Sequence, residues 1–157
     1  YRRQRQMCIR DSYYNKVVGT NSRLDEIQAG LLRVRLSHME ELTQEKIEIA
    51  SRYTKGIHNP GIKLPQIPEG STCVYHQYVI RCEERDRLIE YLNEKEIGTI
   101  IHYPIPPHLA EAYRYLGHHE GDFPITEHLA KTVLSIPMYN GMTEDEQNMV
   151  IDALNRF

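Results

Sequence analysis

Val18-Gly19-Thr20-Asn21-Ser22-Arg23-Leu24-Asp25-Glu26-Ile27-Gln28-Ala29-Gly30 joins a polar turn to the start of an apolar stripe. From Leu24 the apolar residues fall at Ile27, Leu31, Val34 and Leu42, widened by Leu32, Leu36 and Met39. That spacing follows the turn of a helix rather than the alternation of a strand. Asn21 or Ser22 can cap the first turn, and Asp25 or Glu26 suits the positive end of the helix dipole. The stripe continues through Ile47, Ala50, Tyr53 and Ile57, straight or bent, until Asn59-Pro60-Gly61 stops it. So long a striped helix needs a partner surface on its apolar side.

Beyond the helix, Pro65, Pro68 and Gly70 mark a loop, and Val74 to Arg81 is β-branched and aromatic enough to read as a strand. Glu84 to Glu96 carries Leu88, Ile89 and Leu92 at helical spacing, with Gly98 placed to take the left-handed residue at its end. Thr99 to Tyr103 predicts a second strand, Ile100 and His102 on one face and Thr99, Ile101 and Tyr103 on the other. Pro106 and Pro107 can open a helix with a core stripe of Leu109, Ala112, Tyr113 and Leu116, closed by Gly117. Thr126 is expected to cap a short helix, Leu134-Ser135-Ile136 to form a third strand, and Thr143 with Glu146 to build a capping box for a last helix through Val150, Ile151 and Leu154. The economical architecture is α/β: a small, mostly antiparallel sheet covered by helices and preceded by the long helix.

The head of the chain differs from the rest. Arg2, Arg3, Arg5 and Arg10 crowd there against the single acid Asp11, which read alone is a basic arm for nucleic acid or an anionic membrane. Gln6-Met7-Cys8-Ile9-Arg10-Asp11-Ser12 also matches the translation of a sequencing-library transposon adapter, so residues 1–12 are expected to stand outside the fold. Without them the remainder is more acidic than the whole chain's net charge of −3, which argues against a nucleic-acid partner. Residues 13–57 then make the long-helix region and 58–157 a small α/β domain. No run nears the roughly 18 apolar residues that span a bilayer, and the expected location is the cytoplasm. Cys73 and Cys82, nine apart, would fall on opposite faces of one strand and imply neither a disulfide framework nor a zinc site.

Three strings, G-x-N-S-R-L-D-E-I-Q-A (19–29), T-I-I-H-Y-P-I-P-P-H (99–108) and L-S-I-P-M-Y-N-G-M-T (134–143), resemble the DegT-type sugar aminotransferases of the aspartate aminotransferase superfamily. These enzymes use pyridoxal 5'-phosphate on nucleotide-linked keto sugars. The resemblance covers about residues 13–157 and looks like the C-terminal part of such an enzyme, the C-terminal α+β domain of a fold-type I transferase. It implies a homodimer with shared active sites, glutamate as amino donor and a nucleotide-sugar substrate. F-P-I-T-E (123–127), with H-Y-P-I-P-P-H, further resembles the branch acting on dTDP-linked keto-6-deoxyhexoses.

By that resemblance, Asn21 would donate its amide to the cofactor phosphate across the dimer interface, with Arg23 beside it. A neutral donor and a fixed positive charge at a helix start suit a phosphate. His102 and Tyr103, at a strand end, and His108, at a helix start, would line the sugar pocket. The family's Schiff-base lysine lies upstream of G-x-N-S-R. Lys16, Lys46, Lys55, Lys63, Lys95 and Lys131 do not occupy its motif, so the chain by itself is expected to be inactive.

The bland readings stand beside these. Asn21 can simply cap a helix, His102 and His108 can be satisfied structural histidines, and His76 fits a sheet position. His118, His119 and His128 read as solvated surface, and Glu83-Glu84-Arg85-Asp86-Arg87 as a solvated helix start. The competing function is a non-catalytic helical interaction module whose stripe packs on a partner helix. A histidine-metal hydrolase would need convergent His and carboxylate ligands that the spacing does not offer.

Overall fold

A computed structural model describes residues 25–157. Asn21, Ser22 and Arg23 lie outside the described residues, as do residues 1–12. The expected long helix is two helices, α1 (Glu26–Ser37) and α2 (Met39–Gly56), separated at His38. His38 has φ −107° and ψ 8°, off the helical basin, and its N–H bonds back to Arg35 and Leu36. α2 buries Ile49, Ala50 and Tyr53. α1 buries nothing: its stripe of Ile27, Leu31, Val34 and Leu36 faces solvent, with Ile27 80 % exposed. Helical periodicity was therefore right, but within the described residues only the second half of the stripe meets a core.

That core lies between α2, α5 (Glu144–Arg156), α3 (Arg85–Glu94) and one face of an antiparallel sheet in the order β1 (Ile62–Lys63), β2 (Tyr78–Cys82), β3 (Val133–Ile136). The register pairs Tyr78 with Ile136 and Ile80 with Leu134, so four buried side chains share the inner face. Val79 pairs with Ser135 on the outer face. Tyr53 and Tyr78 meet edge to face at 5.3 Å in the middle of the core.

Several expected boundaries move. The strand expected over Val74–Arg81 is β2 and begins only at Tyr78, because Tyr75 sits at φ +46°, which interrupts extended backbone. Cys73 consequently precedes the strand and only Cys82 belongs to it. α3 ends before Gly98: Ile97 N–H bonds Leu92 C=O, Glu96 N–H bonds Asn93 C=O, and Glu96, not Gly98, takes the left-handed position at φ +59°. Burial of Ile97 and Leu92 in the core sets that stop. The Thr99–Tyr103 strand reduces to one bridge, Ile100 to Ser135, which adds a short rung outside β3.

The helix after Pro106 is two 3-10 turns, Pro107–Leu109 and Glu111–Leu116, closed as expected by Gly117 at φ +75°. Its expected core stripe is a surface, with Leu116 52 % exposed and Leu109 and Tyr113 also exposed. α4 (Pro124–Thr132) starts at Phe123 with Pro124 in its first turn, so Thr126 sits inside the helix and does not cap it. The Thr143–Glu146 capping box forms as the sequence predicts, and Val150 and Leu154 of α5 are buried.

Candidate functional site

The outer face of the sheet, at its β3 edge, carries a cavity of about 190 Å³ between His76, His102, Ser135, Pro137 and Met138. Strand alternation creates it. With Leu134 and Ile136 committed to the core, Ser135 must point the other way, where its Oγ meets His102 Nδ1 at 2.9 Å. The Ile100–Ser135 bridge brings His102 there: Ile100 N–H donates to Ser135 C=O at 3.1 Å and Ser135 N–H donates back at 2.8 Å. Tyr103 follows in the chain, 64 % exposed and not among the residues lining the cavity, its ring edge-on to that of His102.

His102 is half-buried, and its pKa lies below the ordinary 6.5, first because burial disfavours the charged ring and second because His76 is near. A neutral imidazole offers one donor and one acceptor nitrogen, the form suited to hydrogen bonding a sugar hydroxyl. Pro137 and Met138, which close the cavity, are held from the core side, where Tyr53 Oη donates to Pro137 C=O at 2.8 Å.

His108 goes elsewhere. Its ring is buried, Nε2 lies 3.0 Å from Glu127 Oε1, and the ring packs on Phe123 at 4.7 Å; it does not line the cavity with His102. Glu127 also accepts the N–H groups of Gly121 (2.9 Å) and Phe123 (3.2 Å). Burial raises its pKa and is the largest single influence, but these donors together outweigh it and hold the carboxyl below its ordinary value. The structure thus brings His102 and Tyr103 together and separates His108 from them. Two polar residues with evident roles were not singled out in the sequence, Ser135 and Glu127. Both were signalled: Ser135 as the lone polar position in an inward-outward strand, Glu127 as the acid of F-P-I-T-E.

A second, mainly apolar hollow of about 630 Å³ lies between α1, α2 and the turn at Val74–His76, lined by Leu32, Leu36, Met39 and Leu42 with Arg33 and Lys46 at its edge. It continues the exposed stripe of α1. No described lysine is buried: Lys46 is half-buried with Nζ 3.4 Å from His76 C=O, and Lys131 pairs with Glu120 at the surface. No described helix is long and apolar enough to cross a membrane.

Residues 3–155 match the model of the DegT/DnrJ/EryC1/StrS aminotransferase family, and the chain belongs to that family. It is 41 % identical over 145 residues to a dTDP-3-amino-3,6-dideoxy-alpha-D-galactopyranose transaminase of Aneurinibacillus thermoaerophilus, covering 92 % of this chain and 39 % of that protein. A dTDP-3-amino-3,4,6-trideoxy-alpha-D-glucose transaminase of Streptomyces venezuelae is 38 % identical, over 94 % of this chain and 39 % of its own length. The crystal structure of S. venezuelae DesV in complex with a ketimine intermediate superposes with a TM-score of 0.83 at 38 % identity, over 92 % of this chain and 39 % of that one. The chain therefore spans about two fifths of the length of the relatives it matches.

Proposed function

We propose that this chain forms the sugar-facing wall of a pyridoxal 5'-phosphate-dependent transaminase. The intact protein moves an amino group from glutamate onto a nucleotide-linked keto sugar such as a dTDP-keto-6-deoxyhexose. The observation that carries the reading is His102, set by Ser135 at the mouth of a small cavity, in a chain of this family. The described residues offer the cofactor no buried lysine for a Schiff base: Lys46, at the edge of the α1–α2 hollow, is half-buried and reaches His76 C=O. They suit a substrate wall instead.

In this reading the cofactor supplies the electron sink, and the chain supplies orientation and dryness. The neutral His102 ring hydrogen-bonds a sugar hydroxyl, the Tyr103 ring stands edge-on beside it, and Pro137 and Met138 exclude water behind it. His108 is fixed by Glu127 and Phe123, outside the cavity lining. Asn21 and Arg23, a neutral donor and a fixed positive charge, serve the cofactor phosphate of the neighbouring subunit in a cytoplasmic homodimer.

The exposed stripe of α1 would equally suit a non-catalytic interaction module, so colour decides between the two. The full-length protein with added cofactor should show a visible-region imine band that shifts with glutamate, and should convert a dTDP-keto sugar to the amino sugar by mass spectrometry. A colourless, inactive full-length protein returns the chain to the interaction module.

A further inference from the structure

We propose that Glu127 is a positioning residue for the keto sugar, acting through His108 on the segment that carries His102 and Tyr103. The inference rests on the transaminase reading and deepens it. After the Ile100–Ser135 bridge the chain runs Ile101-His102-Tyr103-Pro104-Ile105-Pro106-Pro107, and its three prolines have no N–H to offer a neighbouring strand. Backbone pairing cannot hold such a span, so side-chain anchors must.

There are two. The near anchor is Ser135, which holds the backbone of Ile100 and the ring of His102. The far anchor is Glu127, which holds His108 just past the last proline. Both anchors stand on one continuous piece of chain, because α4 ends at Thr132 and β3 starts at Val133. The proline strap is therefore tied at each end to the same rigid unit, with His102 at the near tie and Tyr103 just past it.

Glu127 is built for the task. It is 7 % exposed and collects His108 together with the N–H groups of Gly121 and Phe123, so the loop behind the strap is fixed by the same carboxylate. A buried acceptor with several donors gives a single orientation, and a glutamine there would turn an amide N–H toward them. His108 is further backed by the Phe123 ring. Released from Glu127, the strap would lose its far tie, and the placement of Tyr103 and of the His102 ring beside it would slacken.

The test uses the full-length enzyme with its cofactor and reads the two halves of the reaction separately. In Glu127→Ala and in His108→Ala, KM for the keto sugar should rise about tenfold or more, the scale expected when reacting groups are misplaced from a distance, while the rate with glutamate stays within about twofold. The double variant should be no worse than the poorer single one within about twofold, because both cut the same link. His108→Gln, which restores an N–H donor, should recover part of the sugar KM. Equal loss in both half-reactions, or an unmoved sugar KM, overturns the positioning role. Should Glu127→Ala fail to fold, His108→Ala with its glutamine counterpart decides alone. A wild-type protein that aminates no keto sugar overturns the transaminase reading too, whereas an active wild type with unmoved variants overturns only the role of Glu127.

Discussion

Replacing Tyr53 by Phe removes one oxygen from the centre of the molecule and nothing else. The ring is fully buried and edge-on to Tyr78, and phenylalanine can keep that packing, so the area term is close to zero. What is lost is the donor to Pro137 C=O at 2.8 Å, with the Met142 sulfur also in reach at 3.5 Å. Burial, foremost, pushes the Tyr53 pKa far above its ordinary 10.0, so the hydroxyl is a neutral donor at every working pH. An orphaned buried acceptor costs about 1–3 kcal/mol. For a chain of this size, a loss near 2 kcal/mol lowers Tm by about 4–8 °C.

Urea unfolding of the chain, with the slope unchanged, measures the loss directly. Because Pro137 also lines the cavity beside His102, the variant should weaken sugar binding in the full-length enzyme as well. A destabilisation below about 0.5 kcal/mol, less than a typical net hydrogen bond, would refute the claim that this hydroxyl ties α2 to the segment behind the site.

Asn21→Ala in the full-length enzyme should weaken cofactor retention by about 1.5–3 kcal/mol, the worth of a hydrogen bond to a charged group, in a dialysis or absorbance titration. Unchanged affinity would make Asn21 a helix cap. His102 should titrate below 6.5 by NMR, and His76→Gln, which removes the second cause of the depression, should move it back toward that value. The unfolded ring takes its proton near 6.5 and the folded ring only at lower pH, so this group's contribution falls as pH drops through that window and is flat above it. A His102 titrating above 6.5 would contradict the burial argument. Thr143→Ala removes the side chain that accepts from Glu146 N–H and should cost about 1 kcal/mol in thermal unfolding, an N-cap's ordinary worth.

Elements whose identity depends on near neighbours were legible. The capping box at Thr143, the helices through Leu88 and Val150, and β3 at Leu134–Ile136 each declare themselves within a few residues. Boundaries that depend on distant packing were not. Gly98 is the better left-handed residue, yet Glu96 takes that conformation because Ile97 must reach the core beside Leu92. Leu109, Tyr113 and Leu116 have a helical core's spacing, yet the structure leaves them exposed, since a stripe records what could be buried and not against what.

The same division holds for function. The sequence by itself determined the family, because its recognition strings are contiguous and carry their chemistry locally. Which histidine faces a cavity was decided only by tertiary structure. His102 and His108 are equally plausible in one string, and they part because Ser135 and Glu127, 33 and 19 residues further along the chain, bond them from different elements. Hydrogen bonds between segments so far apart in the chain exist only once the sheet register and the start of α4 are set, and no local pattern encodes them.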